Sequence, residues 1–393
     1  MSNKIKRNII VTDMRYRMAL APARALAAEG CTVTGIEFDS CLPKEALGAY
    51  SKSVNDFRFL TDNNDIFASE LAALCVEKKN ICGKPVIIPV GRRTINILQA
   101  HPKLQEVADY IVPEPRAMQL ADDKSLIHDI ARTEKIPLPA SLTAKDFPTV
   151  HDMAQASNFP SMVKFRNGEA LGLKPAERYR TVHNVDELVD AYEKMSAIDA
   201  DPIVQEFIEG HDIGIAVIID KNGIMRDFLC YESLQEYPIT GGPTCLCQTI
   251  ECPILAEYAQ NLLKHINFFG IAMLDFRGSA DNPLFLEINP RIWGSANLIN
   301  IADSKFFTNY VNAACGIDEK CKSGSYQRGK NMSFFPQHFA ACISKIKSGS
   351  SIGPASVQYF KSAFNKNIQD GFNIAGDRKP FFRYLMNLVK SRH

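Results

Sequence analysis

The sequence is short of several things, and each absence closes off a class of protein. It has no charge surplus. Across 393 residues, 45 basic side chains meet 44 acidic ones, a formal net charge of +1. Nucleic-acid proteins that bind by counterion release need a basic excess, so no nucleic-acid partner is expected. It has no uninterrupted apolar run long enough to span a bilayer, so no transmembrane segment is expected. The stretch MSNKIKRNIIVTDMRYR is basic, but its apolar run is only four residues, shorter than a secretory leader requires. A cytoplasmic location is the expectation. The 11 cysteines include no CxxC pair, even around Cys245, Cys247 and Cys252, and no histidine cluster completes a zinc set. Reduced, mostly buried thiols are expected.

Glycine is missing where a dinucleotide would need it. Asn8–Val11 (NIIV) reads as a buried strand, and the chain continues TDMRYRMA. Without a GxGxxG loop there, a pyrophosphate cannot approach a helix N-terminus, which weakens a nicotinamide oxidoreductase reading. The rest of this region is regular. Residues 18–29 (MALAPARALAAE) predict a helix ending at Gly30, and CTVTGIEF a second strand. Residues 68–79 predict a helix, residues 85–90 (PVIIPV) a strand, and residues 108–112 (ADYIV) another. Strand–helix–strand order implies a parallel sheet with right-handed crossovers. Residues 1–112 are therefore expected to form a doubly wound α/β domain.

After Pro113 and Pro115 the order changes to α+β. Residues 122–134 predict a helix, FPSMVKF a strand with Lys164 near its end, and residues 185–195 a helix. DPIVQEFIEGHDIGIAVIID reads as strand, turn, strand, and DFLCYES as a further strand. Residues 254–266 predict a helix, followed by paired strands IAMLDFRG and PLFLEINP in a mainly antiparallel sheet. Beyond about Gly316 the chain turns polar and less regular. In KPFFRYLMNLVKSRH, Phe381, Leu385 and Leu388, and Phe382, Met386 and Val389, recur at helical spacing, as a helix packed on its own domain would have them. Gly324–Asn331 (GSYQRGKN) imitates a phosphate loop. Its last residue lacks the hydroxyl, and no β-branched strand precedes it, so it is expected to be an ordinary loop.

The densest chemistry lies in FLEINPRIWGS, Phe285 to Ser295. Glu287, Asn289 and Arg291 alternate with Ile288, Pro290 and Ile292, so in a strand the three polar groups share one face. A turn separates this strand from the one carrying Asp275 and Arg277, so a hairpin brings Asp275 and Glu287 together. Two carboxylates and the amide oxygen of Asn289 are hard ligands suited to Mg²⁺, and Arg291 can neutralise an adjoining anion. Lys164, at a strand end before a loop containing Gly168 and Gly172, can reach phosphate oxygens. In VQEFIEGHD, backbone groups can read an adenine edge and Asp212 can take ribose hydroxyls. No Ser/His/Asp or Cys/His arrangement stands out for nucleophilic catalysis.

Taken in order, these pieces resemble the ATP-grasp superfamily of carboxylate–amine ligases, over roughly residues 1–315. The hairpin LDFR…FLEINPRIWGS is similar to that of the amino-acid-ligase and biotin-carboxylase-like branch. The resemblance implies a two-subdomain ATP-grasp fold, with a smaller part over residues 113–200 and a metal-binding part over 201–315, followed by an extension over 316–393. It implies ATP and Mg²⁺ as cofactors, with Mn²⁺ as a substitute. Asp275, Glu287 and Asn289 would hold the metal. Arg291, with Arg277 beside it, would stabilise the transferred phosphoryl group. Lys124 and Lys164 would be the two ATP lysines, Gln205, Glu206 and Ile208 the adenine hinge, and Asp212 the ribose acid. Gly241 and Gly242, in YPITGGPT, resemble a substrate loop. The loop RNGEALGLKPAER departs from the family by having only two glycines, Gly168 and Gly172, which Arg166 and Arg178 could offset. The activity implied joins a carboxylate to an amine through an acyl phosphate, with amino acids as leading substrates and a homodimer as an admissible assembly. The alternatives are carboxylase-like activation of bicarbonate or another small acid, and a nucleotide-binding protein without catalysis.

Overall fold

The computed structural model describes residues 7–79, 83–166, 168, 171–173, 177–199, 201–238, 242–318, 323–347 and 367–390. Four strands open the chain: β1 (Asn8–Val11), β2 (Thr32–Phe38), β3 (Asp56–Leu60) and β4 (Val86–Ile88). They form one all-parallel sheet in the order β3-β2-β1-β4. Ile9, Ile10, Val11, Val86, Ile87 and Ile88 are fully buried, as strands covered on both faces must be. The order reverses between β1 and β4, and in open parallel sheets the crevice at such a reversal is where ligands sit. The loop TDMRYR leaves β1 at that crevice. Asp13 holds a positive φ of 55° there, and its carboxylate accepts the Gly91 N–H at 2.8 Å.

Two expectations in this region are corrected. Residues 108–112 form no strand. Asp109 makes a single parallel bridge to Val86, and the Tyr310 hydroxyl accepts the Ile111 N–H at 3.2 Å, so a side chain replaces a sheet neighbour. The helix expected over 68–79 begins earlier, at Asn64, because the Asn63 side chain accepts the Asp65 and Ile66 N–H groups. β3, which precedes it, was not anticipated. Its alternation is weak, with Arg58 and Phe59 both exposed.

A second sheet of four strands contains β5 (Ser141–Leu142), β6 (Ser161–Lys164), β7 (Tyr179–Val182) and β8 (Ile203–Glu206), in the order β5-β8-β6-β7. With helices Val150–Gln155 and Val185–Ser196 it encloses a core of its own, built from Met153, Val163, Phe165, Leu188, Tyr192 and Val204.

The third sheet is the largest. Its strands are β9 (His211–Ile219), β10 (Met225–Glu236), β11 (Thr244–Thr249), β12 (Gly270–Ser279), β13 (Asn282–Asn289), β14 (Asn331–Ser333) and β15 (Ile368–Asp370). The order is β13-β12-β9-β10-β11-β14-β15, antiparallel except for β14 with β15. Its core merges with one face of the first sheet, so that Val11, Leu20, Ile215, Leu274, Phe285 and Trp293 belong to one apolar cluster.

The region after Gly316 is more ordered than its composition suggests. β14 and β15 are three residues each, too short to show a period, yet they extend the large sheet. Helix Lys379–Lys390 returns toward the first domain, with Phe381 buried and Phe382, Met386 and Val389 exposed. GSYQRGKN is a loop whose Tyr326 hydroxyl donates to Ile250 O at 2.8 Å, and β14 follows it. The helix expected over 122–134 runs from Lys124 to Thr133, and a further helix, Pro115–Asp122, precedes it. Asp123 breaks them apart, because its carboxylate caps the second by accepting the Ser125 and Leu126 N–H groups.

Candidate active site

The hairpin of β12 and β13 sets the centre. Its register puts Asp275 directly opposite Glu287 and Met273 opposite Asn289. Residues directly opposite on adjacent strands lie on one face, so both carboxylates project together. A bulge follows, because Phe276 pairs with Phe285 and leaves Leu286 over. The Leu286 carbonyl accepts from His128 Nε2 at 2.8 Å, and burial lowers the His128 pKa to about 4, so the ring is neutral and donates. His128 lies one helical turn beyond Lys124. The same helix that steadies the bulge thus delivers Lys124, whose Nζ lies 2.8 Å from Glu287 Oε2.

The electrostatics of the pair are divided. Burial pushes the Asp275 carboxyl well above the usual range, and the charges of Glu287 and Asp212 push it further. Burial also raises Glu287, but Lys124, Lys164 and Asn289 outweigh it and bring its pKa to about 2. The Asn289 amide reaches both acids, 2.9 Å from Asp275 Oδ2 and 3.3 Å from Glu287 Oε1. Crowded carboxylates held this way accommodate a hard divalent cation, and a turned amide would offer its oxygen to the same point. Among the described residues no three His, Cys, Asp or Glu side chains cluster closely enough to hold a metal alone. A hard cation held by so few side chains keeps waters or other oxygens in the rest of its shell.

Lys164 ends β6, and its Nζ donates to Gln205 Oε1 on β8 at 2.7 Å. Burial lowers its pKa to about 8, with the Lys124 charge acting in the same direction. Glu206 is tied to the linker from the preceding helix. Its N–H donates to Ala140 O at 2.9 Å, and its Oε1 accepts the Ala140 N–H at 2.8 Å. Ile208 O accepts from Arg277 Nε at 2.8 Å, and Arg277 Nη1 lies 2.6 Å from Asp212 Oδ1. Arg277, expected beside Arg291, is joined instead to Asp212 and Ile208. The chain crosses here at close range, since a Cβ on Gly210, whose φ is +118°, would stand 2.6 Å from Gly278 O.

Arg291 also departs from expectation. β13 ends at Asn289, and the Arg291 N–H donates back to Asn289 O at 2.8 Å, so the chain turns before Arg291 instead of continuing the strand. Proline at 290 cannot donate to a ladder and ends it. The Arg291 charge is felt by Tyr16 of the TDMRYR loop, which places the first domain against this edge of the site.

Gly168 O accepts the Leu173 N–H at 3.1 Å, and Gly172 holds a φ of +71°. Arg178 donates to Leu173 O at 2.9 Å, and Arg166 pairs with Asp201, which lies just before β8. Gly242 lies against the backbone of Tyr237 and Pro238, whereas Gly241 lies outside the described residues.

Sequence reasoning missed three side chains besides His128. Glu236 hydrogen-bonds Asp212, and burial, followed by the charge of that acid, raises its pKa to about 7. Tyr231 lies opposite Gly214, which in turn lies opposite Asp275. Its ring fills the space a Cβ on Gly214 would need, and it stacks on Trp293 with centroids 6.5 Å apart. Arg17 lies farther along the first-domain loop. Only Glu236 left a local trace, as an acid at the end of a long alternating strand.

Residues 134–295 match the model of the ATP-grasp domain. The chain carries an ATP-grasp domain. Solved structures share the wider fold. The biotin carboxylase domain of Hydrogenobacter thermophilus 2-oxoglutarate carboxylase, solved with MgADP and bicarbonate, has a TM-score of 0.61 and 16% identity, over 83% of this chain and 73% of that one. The N5-carboxyaminoimidazole synthetase of Staphylococcus aureus, solved with ADP, has a TM-score of 0.59 and 16% identity, over 84% and 82%. The L-amino acid ligase of Bacillus licheniformis has a TM-score of 0.55 and 12% identity, over 79% and 74%. No curated protein matches the sequence. The matched residues span Lys164, Gln205 to Ile208, Asp212 and the whole carboxylate hairpin, while Lys124 enters from the helix just before them.

Proposed function

We propose that the protein is an ATP- and Mg²⁺-dependent ligase that joins a carboxylate to an amine, with an amino acid as a substrate. The observation that carries this reading is the facing pair Asp275 and Glu287, bridged by Asn289 and flanked by Lys124. Asp275, Glu287 and Asn289 would hold Mg²⁺, which supplies charge neutralisation for the phosphates. Lys124 and Lys164 would bind phosphate oxygens, and the backbone of Glu206 and Ile208 the adenine edge. Asp212 would take ribose hydroxyls, held in place by Arg277 and Glu236. Gly168 and Gly172 would flank the phosphates, and Gly241 and Gly242 the substrate.

In the first step a carboxylate oxygen attacks the γ-phosphorus as the bond to the ADP oxygen breaks, leaving an acyl phosphate and ADP. In the second, an uncharged amine attacks the acyl carbon, the bond to phosphate oxygen breaks, and the amine proton passes to solvent. Neither step needs a protein nucleophile. Both need in-line placement and cations around a growing negative charge. Arg291, just past the carboxylate hairpin, would face the transferred phosphoryl group.

The test is incubation with ATP, Mg²⁺ and a mixed pool of amino acids and small carboxylic acids, following ADP and phosphate. Pool-dependent ADP and phosphate, abolished by Glu287→Gln, support the ligase. AMP and pyrophosphate would overturn the acyl-phosphate route in favour of adenylation. ADP formation that needs bicarbonate would support the carboxylase alternative.

A further inference from the structure

Several buried or half-buried arginines in this molecule meet a carboxylate. Arg24 reaches Asp377 at 2.9 Å, Arg226 reaches Asp220 at 2.6 Å and Arg277 reaches Asp212 at 2.6 Å. Arg17 does not. It is only partly exposed, and among the described residues its guanidinium has no hydrogen-bond acceptor or ion-pair partner. Its Cζ lies 3.8 Å from the centre of the Phe334 ring. The groups close enough to feel its charge are Tyr384, Asp370, Cys245 and Cys247. Asp370 is already engaged, since its two oxygens accept the N–H groups of Phe335, Phe372 and Asn373 at 2.9, 2.7 and 2.6 Å. A guanidinium keeps its charge at any physiological pH, so this is a sparsely compensated cation. Burying one is costly unless an anion arrives.

Its position is as informative as its solitude. Tyr16, the preceding residue, feels the Arg291 charge. On the other side, Cys247 feels Arg17 and hydrogen-bonds Ser295. The segment from Arg291 to Ser295 therefore runs from the carboxylate hairpin to the neighbourhood of Arg17. That segment and its continuation hold unused polar capacity. Among the described residues, the buried Trp293 Nε1 and both amide atoms of Asn297 have no hydrogen-bond partner. Arg17 also lies where the first domain, β11 and the C-terminal region meet, in surroundings of thiols and aromatic rings.

We propose that Arg17 binds the carboxylate of an amino-acid substrate, the one whose amine attacks the acyl phosphate. This rests on the ligase reading above. A planar fork of donors fits a carboxylate with two parallel hydrogen bonds. A single cation whose one acidic neighbour, Asp370, is already engaged by backbone N–H groups matches one negative charge and not a phosphate, for which Lys124 and Lys164 are placed. In an amino acid the amine is one carbon away from the anchored carboxylate, so fixing the anion fixes the nucleophile.

The test compares each common L-amino acid with its carboxamide, at equal concentration with MgADP, by the shift in thermal midpoint. It is run on the wild type, Arg17→Met and Arg17→Lys. At least one acid is expected to raise the wild-type midpoint where its amide does not. Arg17→Met should abolish that difference and Arg17→Lys retain part of it, while the MgADP shift alone stays the same in all three and reports an intact fold. In turnover, Arg17→Met should raise the KM for that amino acid about 10- to 100-fold and leave the KM for ATP unchanged. Equal shifts by acids and amides in the wild type, or a preference that survives in Arg17→Met, would overturn the assignment. An acid-specific shift without any ADP release would leave Arg17 as a carboxylate site and sink the ligase.

Discussion

Lys164 carries a pH dependence whose sign follows from its surroundings. Burial holds its folded pKa at about 8, below the roughly 10.4 of an unfolded lysine. Between those values the unfolded chain binds the extra proton, so this group makes stability rise with pH there. Nucleotide binding runs the other way, because phosphates need the ammonium form. The affinity for MgADP should be flat below pH 8 and fall by about tenfold per unit above it, with proton uptake on binding. Titration calorimetry across pH 6.5–9.5, in buffers of different ionisation enthalpy, checks this; Lys164→Arg should remove the decline. The second prediction at this scale concerns Glu287. Glu287→Gln leaves Lys124 without its partner and Asp275 without its neighbouring charge. The variant should fold, lose Mg²⁺-dependent strengthening of ADP binding, and turn over at least about 100-fold more slowly. Equal ADP affinity with and without Mg²⁺ in the wild type would contradict the assigned metal role.

At the scale of elements, the hairpin of β12 and β13 was legible because it is local. Two short strands and their turn fix a register within one stretch of chain, and Asp275 meets Glu287 with no help from elsewhere. What the sequence hid depends on distant partners. Tyr231 is invisible as a site residue until β9 sets Gly214 beneath its ring. Glu236 gains its raised pKa from burial and from Asp212 on another strand, and Arg17 stands out because, among the described residues, no acid hydrogen-bonds it. The strand over residues 108–112 failed for a similar reason, since Tyr310, some two hundred residues away, takes over its hydrogen bonding. The Gly214–Tyr231 contact yields a prediction of its own. Gly214→Ala places a methyl group in the Tyr231 ring, and overpacking of this kind costs about 1–3 kcal/mol. The thermal midpoint should fall by a few degrees. Activity should fall further than stability, because the displaced ring lies between Asp275 and Trp293. A variant with wild-type turnover would show that this floor does not position the site.

At the scale of the whole molecule, the C-terminal region closes back on the first domain. Asp377 receives Arg24 Nε at 2.9 Å, Ser51 Oγ at 2.7 Å and the Lys52 N–H at 2.8 Å, and the ion pair is buried. Removing one partner strands the other, so Asp377→Ala should cost about 3–5 kcal/mol, seen as a lower denaturant midpoint. An unchanged midpoint would mean that the C-terminal region contributes little to the fold. β14 and β15 join the same region to the large sheet, so two of the three sheets and the C-terminal region are locked to one another.

The four-stranded sheet of β5 to β8 stands outside this lock, with its own core, and meets the large sheet at two places among others. One is the segment before β5, where Phe285 N–H donates to Pro137 O at 2.8 Å; the other is the turn at Gly210 pressed on Gly278. The molecule thus works as an anvil with a single jaw. Compliance is expected in the part that carries Lys164, while the acids, Arg291 and Arg17 belong to the anvil. A nucleotide gripped by both parts acts as a rivet, and its departure is what frees the jaw. Ligand occupancy would then be written in the stiffness of that one sheet and its helices and scarcely at all in the rest.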